Sequence, residues 1–371
     1  MSKMENAMPE PWSCPYVGKS LVIRYDGTYD CCSNRDLSKP VYDSLRVDQS
    51  SPDEYRQSQH YLKFLESAER GEWPKGCELC HNDEQIGLKS SRSEILGRVV
   101  EKELNINFGN LCNTDCVMCD SHWSTKIASR LLKHPNPEDV STAAPVHTRV
   151  NRWKEPKTLE HILSEVAKVK RLRIIGGEPI IDPDTWQFLD MVKRKDLFVT
   201  FSTNLSRPLD AAKLDILNGF QDYYLSVSID NVSSNYEWLR QGLKWNDLIR
   251  NLTLLKSHDV NFVIHAVAQA HTVRDMPALE KLAKTMKRDI RYHSIRLPSI
   301  LGVENAPLWA IEESISQLIK DQSVTDGIQI LEYARKNHDE NGLARLTRYT
   351  DYLNSHRSQR FDCTLWTVCP N

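Results

Sequence analysis

The sequence predicts an α/β protein whose core is a partial (β/α)6 TIM-like barrel, an incomplete barrel of six strand–helix units. From about residue 104 to 298, short runs rich in β-branched residues alternate with longer amphipathic segments. Strands that alternate with helices are typical of βαβ units and a parallel sheet. A closed eight-unit barrel takes about 250 residues, more than this region offers. A flat, doubly wound sheet is the structural alternative.

The six strand candidates are mostly continuous apolar runs, which is typical of strands covered on both faces. They are LNINFGN (104–110), RLRIIGG (171–177), LFVTFSTN (197–204), YYLSVSID (223–230), NFVIHAVAQ (261–269) and YHSIRLP (292–298). Helical patterns lie between them at 158–170, 185–194, 209–219 and 276–287. Polar residues follow several strands, as in GGEP, STN and SID, and parallel α/β folds carry their sites at those strand ends.

The two ends of the chain do not share this alternation. The first hundred residues are polar, interrupted by prolines, and carry five of the ten cysteines. The last seventy or so residues have a helical, charged pattern. We therefore expect three parts: a small cysteine-rich domain at 1–100, the partial barrel at 101–300 and a helical C-terminal extension at 301–371.

Composition limits the classes of partner and the compartment. Lys and Arg number 48 against 50 Asp and Glu, a net charge of −2 that gives no reason to expect a nucleic-acid partner. The N-terminus has no apolar signal region, and no run approaches the roughly 18 apolar residues of a membrane span. We therefore expect a cytoplasmic protein without a membrane partner. Thiols stay reduced there, so ten cysteines favour metal binding over disulfides.

Three cysteines lie close together in LCNTDCVMCD (111–120), directly after the first predicted strand. Cys112, Cys116 and Cys119 have the spacing C-x3-C-x2-C. A structural zinc site takes four ligands, commonly as two short pairs. Three thiolates instead suit three irons of a [4Fe–4S] cluster and leave the fourth iron open to a small molecule. Buried small side chains with a chance spacing are the alternative.

This spacing after the first strand, with GGEP (176–179) after the second, resembles the radical S-adenosylmethionine (SAM) superfamily over residues 104–298. The resemblance implies that Cys112, Cys116 and Cys119 bind a [4Fe–4S] cluster whose open iron binds the amino and carboxylate groups of SAM. Reductive cleavage of SAM then yields a 5′-deoxyadenosyl radical, which abstracts hydrogen from a substrate. A low-potential electron donor, flavodoxin or ferredoxin, is implied as a partner.

The same resemblance assigns residues to SAM near the cysteines and GGEP. Met118 takes the place of the bulky group beside the adenine, by soft packing. Gly176, Gly177 and Glu178 correspond to the segment that binds the SAM amino group. Glycine permits a close backbone approach, and a carboxylate accepts hydrogen bonds from an ammonium.

Polar residues at the next two strand ends correspond to positions that contact the ribose or the methionyl part of SAM. They are Ser202, Thr203 and Asn204 at the end of the third strand, and Ser228 and Asp230 at the end of the fourth. Each is also of a type that caps helices, and that alternative stays open. Arg296 on the sixth strand is a candidate for binding a carboxylate, with a structural ion pair as the alternative.

The N-terminal cysteines form a second candidate metal site. Cys14, Cys31, Cys77 and Cys80 would make a four-thiolate site, with a hairpin turn expected at Asp-Gly in IRYDGTYDCC (23–32). Either zinc or an Fe–S cluster satisfies that chemistry, and the residues alone favour zinc.

The pattern C…DG…CC…GEWPKGCELC before the barrel resembles the twitch- or SPASM-like subset of the superfamily. That resemblance implies an auxiliary Fe–S cluster on these cysteines, with Cys32 competing for the place of Cys31. Cys363 and Cys369 match no such role and are interpreted as tail thiols.

The sequence thus predicts a radical SAM enzyme, with a peptide or protein as substrate and oxidation, crosslinking or epimerisation as outcome. Oxidation or rearrangement of a small molecule is the alternative within the class. Outside it are a zinc-binding adaptor, in which both cysteine groups are structural, and a degenerate barrel that senses Fe–S status. No residue is identified as a catalytic acid or base.

Overall fold

The computed structural model describes residues 13–33, 45–134, 153–295 and 298–361. Its strands are β1 Ser20–Ile23, β2 Tyr29–Asp30, β3 Glu103–Asn107, β4 Asp115–Cys116, β5 Arg171–Ile175, β6 Phe198–Thr203, β7 Asp222–Ser228, β8 Arg240–Gln241, β9 Phe262–Ala268 and β10 Ile290–Ser294. Its α-helices are α1 Pro52–Arg56, α2 Gln59–Glu69, α3 Glu78–Gln85, α4 Thr125–Lys133, α5 Pro156–Val166, α6 Pro183–Met191, α7 Ala211–Asn218, α8 Ser233–Leu239, α9 Trp245–Ser257, α10 Met276–Met286, α11 Leu308–Lys320, α12 Gly327–Lys336 and α13 Glu340–His356.

Eight strands form one sheet in the order β10-β9-β7-β6-β5-β3-β1-β2, and all neighbours are parallel except β1 and β2. The predicted parallel sheet is confirmed, and the six predicted strands are β3, β5, β6, β7, β9 and β10. These six lie side by side in chain order. A doubly wound sheet reverses its strand order at a switch point, so this topology argues against that alternative.

The sheet continues into the N-terminal hundred residues. β1 pairs in parallel with β3, from Ser20 opposite Glu103 to Ile23 opposite Ile106. The predicted Asp-Gly turn returns the chain as β2, with Gly27 at a φ of +86° that favours glycine. Whether residues 1–100 form a domain of their own stays a prediction, since two of their strands are part of this sheet.

Helix starts follow local sequence signals. At α1, Ser51 accepts a hydrogen bond from the backbone N–H of Glu54, whose carboxylate accepts one from the N–H of Ser51, a reciprocal capping box. At α6, Asp182 accepts from the N–H of Asp184, and Pro183 occupies the first turn. These caps fix where the two helices begin.

The two faces of the sheet differ, contrary to the expectation of strands covered on both faces. Side chains alternate between buried and half-buried along β5 and β9. Leu172 and Ile174 of β5, with Ile264 of β9, lie in the hydrophobic core. The opposite side, here called the polar face, carries Asn105, Arg173, Thr200, His265 and His293, which strand register places on one side.

Over the described residues up to 361, the chain after β10 forms the helices α11 to α13, and their assignment to a separate C-terminal extension stays a prediction. Cys363, Cys369 and Arg296 lie outside the described residues. Within the described part of the chain, no helix is both long and apolar enough to cross a membrane.

Candidate functional site

The cysteine triplet lies in the loop between β3 and α4, at the carboxyl edge of the sheet. The hydroxyl oxygen of Thr114 lies 3.1 Å from the sulfur of Cys112 and 3.3 Å from that of Cys116. The sulfur of Cys119 lies 3.8 Å from the carbonyl oxygen of Asp120. Cys112 and Cys116 are buried and Cys119 is half-buried, so the loop gathers three thiols in a largely water-free place.

The chemistry of these thiols suits a cluster better than a single ion. Burial raises the pKa of all three, that of Cys112 to about 11, and each is raised further by another thiol of the triplet or by a nearby carboxylate. Bound cationic iron supplies the charge that holds such thiols as thiolates. Among the described residues, no three His, Cys, Asp or Glu side chains converge on one metal position. In a cluster each thiolate binds a separate iron, so convergence is not required.

A buried cation lies beside the triplet. Nη1 of Arg240 is 3.8 Å from the sulfur of Cys116, and the short ladder between β4 and β8 pairs these two residues. Nε of Arg240 donates to Oδ2 of Asp230 at 2.6 Å. The charge of Arg240 lowers the pKa of Cys116 against the effect of burial. Asp230, predicted from its strand end, is thus joined to the cysteine loop through Arg240.

The GGEP segment is hydrogen-bonded to the start of the cysteine loop. The N–H of Gly177 donates to the carbonyl of Gly109 at 3.1 Å, and that of Glu178 to Leu111 at 2.9 Å. A Cβ on Gly177 would lie 2.3 Å from the carbonyl oxygen of Leu111, and Gly176 has a φ of +137°. The glycines are therefore required by the approach of the protein's own backbone, whereas the sequence predicted that they allow the approach of a ligand.

Glu178 is buried and connects β5 to the end of β6. Its Oε1 accepts from the hydroxyl of Thr203 at 2.5 Å and from the N–H of Ile180 at 3.0 Å, and its Oε2 accepts from the N–H of Asn204 at 2.6 Å. Burial raises its pKa to about 7 although these hydrogen bonds lower it. Two carboxylate oxygens offer about four acceptor positions, so Oε2 retains one for an external donor such as an ammonium.

The remaining predicted SAM residues lie along the same edge. Met118 is half-buried against the core, and Ser202 and Ser228 are half-buried at the ends of β6 and β7. Asn204 donates to Oδ1 of Asn113 in the cysteine loop at 3.2 Å. The helix-cap alternative is wrong for these positions, because α7 and α8 begin after Asp210 and Val232.

Two residues of this site were missed from the sequence. Arg240 and Tyr236 lie between the fourth and fifth predicted strands, where the sequence analysis named no site residue after Asp230. The hydroxyl of Tyr236 is buried and has no hydrogen-bond partner within the described residues. The sequence offers only a weak signal for Arg240, which follows the SID strand end and stands two positions before a glycine. The short pairing of β4 with β8 that places Arg240 beside the cysteine loop cannot be deduced from the local sequence.

The N-terminal cysteines line one pocket, here called the N-terminal cysteine cavity. Its walls include five cysteines, three aromatic residues and one arginine: Cys14, Cys31, Cys32, Cys77, Cys80, Tyr16, Phe64, Trp73 and Arg92. Burial raises the pKa of Cys14 and Cys80. The structure therefore gathers all the predicted N-terminal ligands, and it brings in Cys31 and Cys32 together.

The two cysteine sites lie at opposite ends of the strands. Asp30 of β2 pairs with Val22 of β1, so the chain after β2, which carries Cys31 and Cys32, runs back towards the start of β1. The start of β1 pairs with Glu103 at the start of β3. The triplet follows the other end of β3, beyond Asn107. Four residues of strand separate those levels, roughly 13 Å at 3.3 Å per residue. The polar face lies between the two sites.

Residues 106–283, just under half of the chain, match the family model of the Radical SAM superfamily. A curated protein, the probable GTP 3′,8-cyclase of Methanocaldococcus jannaschii, is 23% identical over 194 residues, which cover 49% of this chain and 55% of that protein. The chain thus spans about half the length of this curated relative.

Solved structures give a weaker likeness. Native anSMEcpe with bound AdoMet has a TM-score of 0.39 and 16% identity, covering 59% of this chain and 59% of that chain. Streptococcus suis SuiB bound to precursor peptide SuiA has a TM-score of 0.41 and 16% identity, covering 77% and 55%. Similarity at this level carries no argument about activity.

Proposed function

We propose that this chain, whose residues 106–283 match the family model of the Radical SAM superfamily, is a radical SAM enzyme that modifies a peptide or protein. Cys112, Cys116 and Cys119 would hold a [4Fe–4S] cluster, and the adjoining strand ends would hold SAM. The observation that carries the proposal is the hydrogen bonding of GGEP to the start of the cysteine loop, because it brings the segment of the buried Glu178 next to the loop that carries the three cysteines.

The cofactors, when bound, would supply a 5′-deoxyadenosyl radical that abstracts hydrogen from the substrate. The chain's own residues would bind and orient. Glu178 would accept from the SAM amino group through its remaining acceptor position, and Met118 would pack beside the adenine. Ser202, Asn204 and Ser228 would contact the ribose or the methionyl part. Arg240 would offset the negative charge that three thiolates bring to the loop.

The N-terminal cysteine cavity would hold an auxiliary Fe–S cluster through Cys14, Cys31, Cys77 and Cys80. Thiolates are the ligands that such clusters take, and the cavity has more cysteines than the four that are needed. This arrangement supports the twitch- or SPASM-like assignment. Zinc remains the competing metal for the same ligands, and flavodoxin or ferredoxin would supply electrons.

The small-molecule alternative keeps one specific support. The curated relative is named for a reaction of GTP, although it matches only about half of each chain. A zinc-binding adaptor is favoured less, because the triplet offers three thiols and the described residues give no converging single-ion site. Colour and iron content separate the zinc-binding adaptor from both radical SAM proposals.

The experiment is anaerobic reconstitution followed by iron and sulfide analysis of the wild type and of a Cys112/Cys116/Cys119→Ala variant. A matched Cys14/Cys31/Cys77/Cys80→Ala variant controls for the second site. SAM and dithionite are then added and 5′-deoxyadenosine is measured. About eight irons in the wild type and about four in each variant support two clusters. Product should be lost from the triplet variant.

Other outcomes are equally specific. About four irons in the wild type, and none in the triplet variant, would assign the N-terminal cavity to zinc or to no metal. Zinc without iron, and no 5′-deoxyadenosine, would contradict the enzyme proposal and favour the adaptor.

A further inference from the structure

Arg173 projects from the middle of β5 onto the polar face of the sheet. Its neighbours in register are Asn105 on β3 and Thr200 on β6. Arg173 is half-buried, yet within the described residues the structure gives its guanidinium no hydrogen bond and no ion pair. A guanidinium is always charged and binds carboxylate or phosphate through two parallel hydrogen bonds, so this position, to which no carboxylate in the described part of the chain is bound, suits an external anion.

The contrast with Arg171, two residues earlier on the same strand, is informative. Nε of Arg171 lies 3.9 Å from Oε2 of Glu103, and its guanidinium lies 5.0 Å from the ring centre of Phe198. Arg171 therefore has partners within the protein. Next to Arg173, the side-chain oxygen of Asn105 is buried and has no partner among the described residues.

Two histidines extend the same surface. His265 of β9 and His293 of β10 have ring centres 4.3 Å apart at an interplanar angle of 80°. Burial and nearby cations lower the pKa of both, so both are neutral at physiological pH and can each donate one N–H. Arg291, directly opposite His265 in register, adds a second guanidinium at the exposed border.

We propose that Arg173 binds an anionic group of the substrate, a carboxylate or a phosphate, on the polar face between the two cysteine sites. A planar guanidinium binds either group through two parallel hydrogen bonds. His265 and His293 would donate to the same group, and Arg291 would attract it. The proposal rests on the proposed function in one respect, namely that the bound molecule is the substrate. It adds that this substrate carries an anionic group.

The position of Arg173 suits this role. Its level on the sheet, opposite Asn105, lies midway between Glu103, near the N-terminal cysteine cavity, and Asn107, near the triplet. Burial raises the pKa of Tyr16, which lines the cavity; the charge of Glu103 raises it further and that of Arg173 lowers it, so both charged groups lie near Tyr16. A substrate whose anionic group is bound by Arg173 would therefore lie with one end towards the cysteine triplet and the other towards the N-terminal cysteine cavity.

The test uses the reconstituted protein and two probes, inorganic phosphate and succinate, titrated by calorimetry at constant ionic strength. Arg173→Gln removes the charge, and Arg173→Lys keeps it without the planar fork. Arg250→Gln on α9, 64% exposed, is the control for charge alone. We expect saturable binding of at least one anion to the wild type and to the control. Arg173→Gln should weaken it about tenfold or more, and Arg173→Lys should weaken it less.

SAM affinity and 5′-deoxyadenosine formation are measured in the same samples. Preference for phosphate or for succinate identifies the kind of anionic group. No saturable binding to the wild type, or equal binding by Arg173→Gln and wild type, overturns the proposal. A parallel loss of SAM affinity in Arg173→Gln also overturns it, because Arg173 would then bind the carboxylate of SAM. If anion binding depends on Arg173 but no 5′-deoxyadenosine forms, the radical SAM proposal fails and the anion site stands.

Discussion

Arg240 bridges Asp230 and Cys116: its Nε donates to Oδ2 of Asp230 at 2.6 Å, and its Nη1 lies 3.8 Å from the cysteine sulfur. The other oxygen of Asp230 accepts from the N–H of Val267 at 2.8 Å. One buried ion pair thus connects β7, β9 and the cysteine loop. Its charges are desolvated, so removing either partner leaves the other uncompensated.

Arg240→Leu should therefore destabilise the fold strongly. The buried carboxylate of Asp230 would lose its cation, a change that costs about 3–5 kcal/mol in comparable cases. Urea unfolding measures the free energy of unfolding. The exposed substitution Arg250→Leu should change it by about 0.5 kcal/mol or less. Equal stability of the two variants would contradict the importance assigned to this pair.

Glu178 should make stability depend on pH. Its pKa is about 7 in the folded state against an ordinary 4.5, so the folded protein holds this proton more tightly than the unfolded chain. The contribution of Glu178 to the free energy of unfolding is therefore present below pH 4.5 and decreases as pH rises to about 7. Urea unfolding of the metal-free protein between about pH 5 and 8 should show a decrease that Glu178→Gln lacks. Parallel pH profiles for the two proteins would argue against the raised pKa.

Gly177→Ala should disturb the cysteine loop. The new methyl carbon would lie 2.3 Å from the carbonyl oxygen of Leu111, so backbone next to Cys112 must move. Overpacking of this kind typically costs about 1–3 kcal/mol. Iron analysis after reconstitution should show a loss from the triplet site. Gly219→Ala is the control, since its nearest neighbour, the carbonyl oxygen of Ile216, lies 3.3 Å away. Full iron content in Gly177→Ala would contradict this view.

Cys31 and Cys32 should differ as ligands. Cys31 is buried in the core cluster that includes Phe64, a wall of the N-terminal cysteine cavity, while Cys32 is more accessible. We expect Cys31→Ala to lower reconstituted iron by about four per chain and Cys32→Ala to leave it unchanged. The reverse pattern would assign the ligand to Cys32.

The sequence predicts those parts of the fold that depend on local pattern. Alternating strand and helix signals predict the six parallel strands. The polar segments GGE and SID, which follow two of these strands, mark the edge of the sheet at which the cysteine triplet lies. Arg173 was missed because RLRII was taken as a continuous apolar run. Its strict alternation of arginine with leucine and isoleucine is a period of two, which indicates one polar and one buried face.

Other features depend on contacts between distant segments. The glycines of GGEP were expected at a ligand, but the backbone of residues 109–111 occupies the space beside them. The role of Arg240 depends on a two-residue ladder between β4 and β8. Neither arrangement has a local sequence signature, because side-chain and backbone partners far apart in sequence meet only when the sheet forms.

The ladder between β1 and β3 has a consequence for the order of events during synthesis. β1 leaves the ribosome before β3, its parallel partner, which follows about eighty residues later. Closing so long a loop is slow, although its entropic cost grows only gradually with length. A nascent chain that ends near residue 100 carries the N-terminal cysteines without the strand beside which they assemble. The proposed binding of metal by that segment should therefore follow, rather than precede, translation of β3.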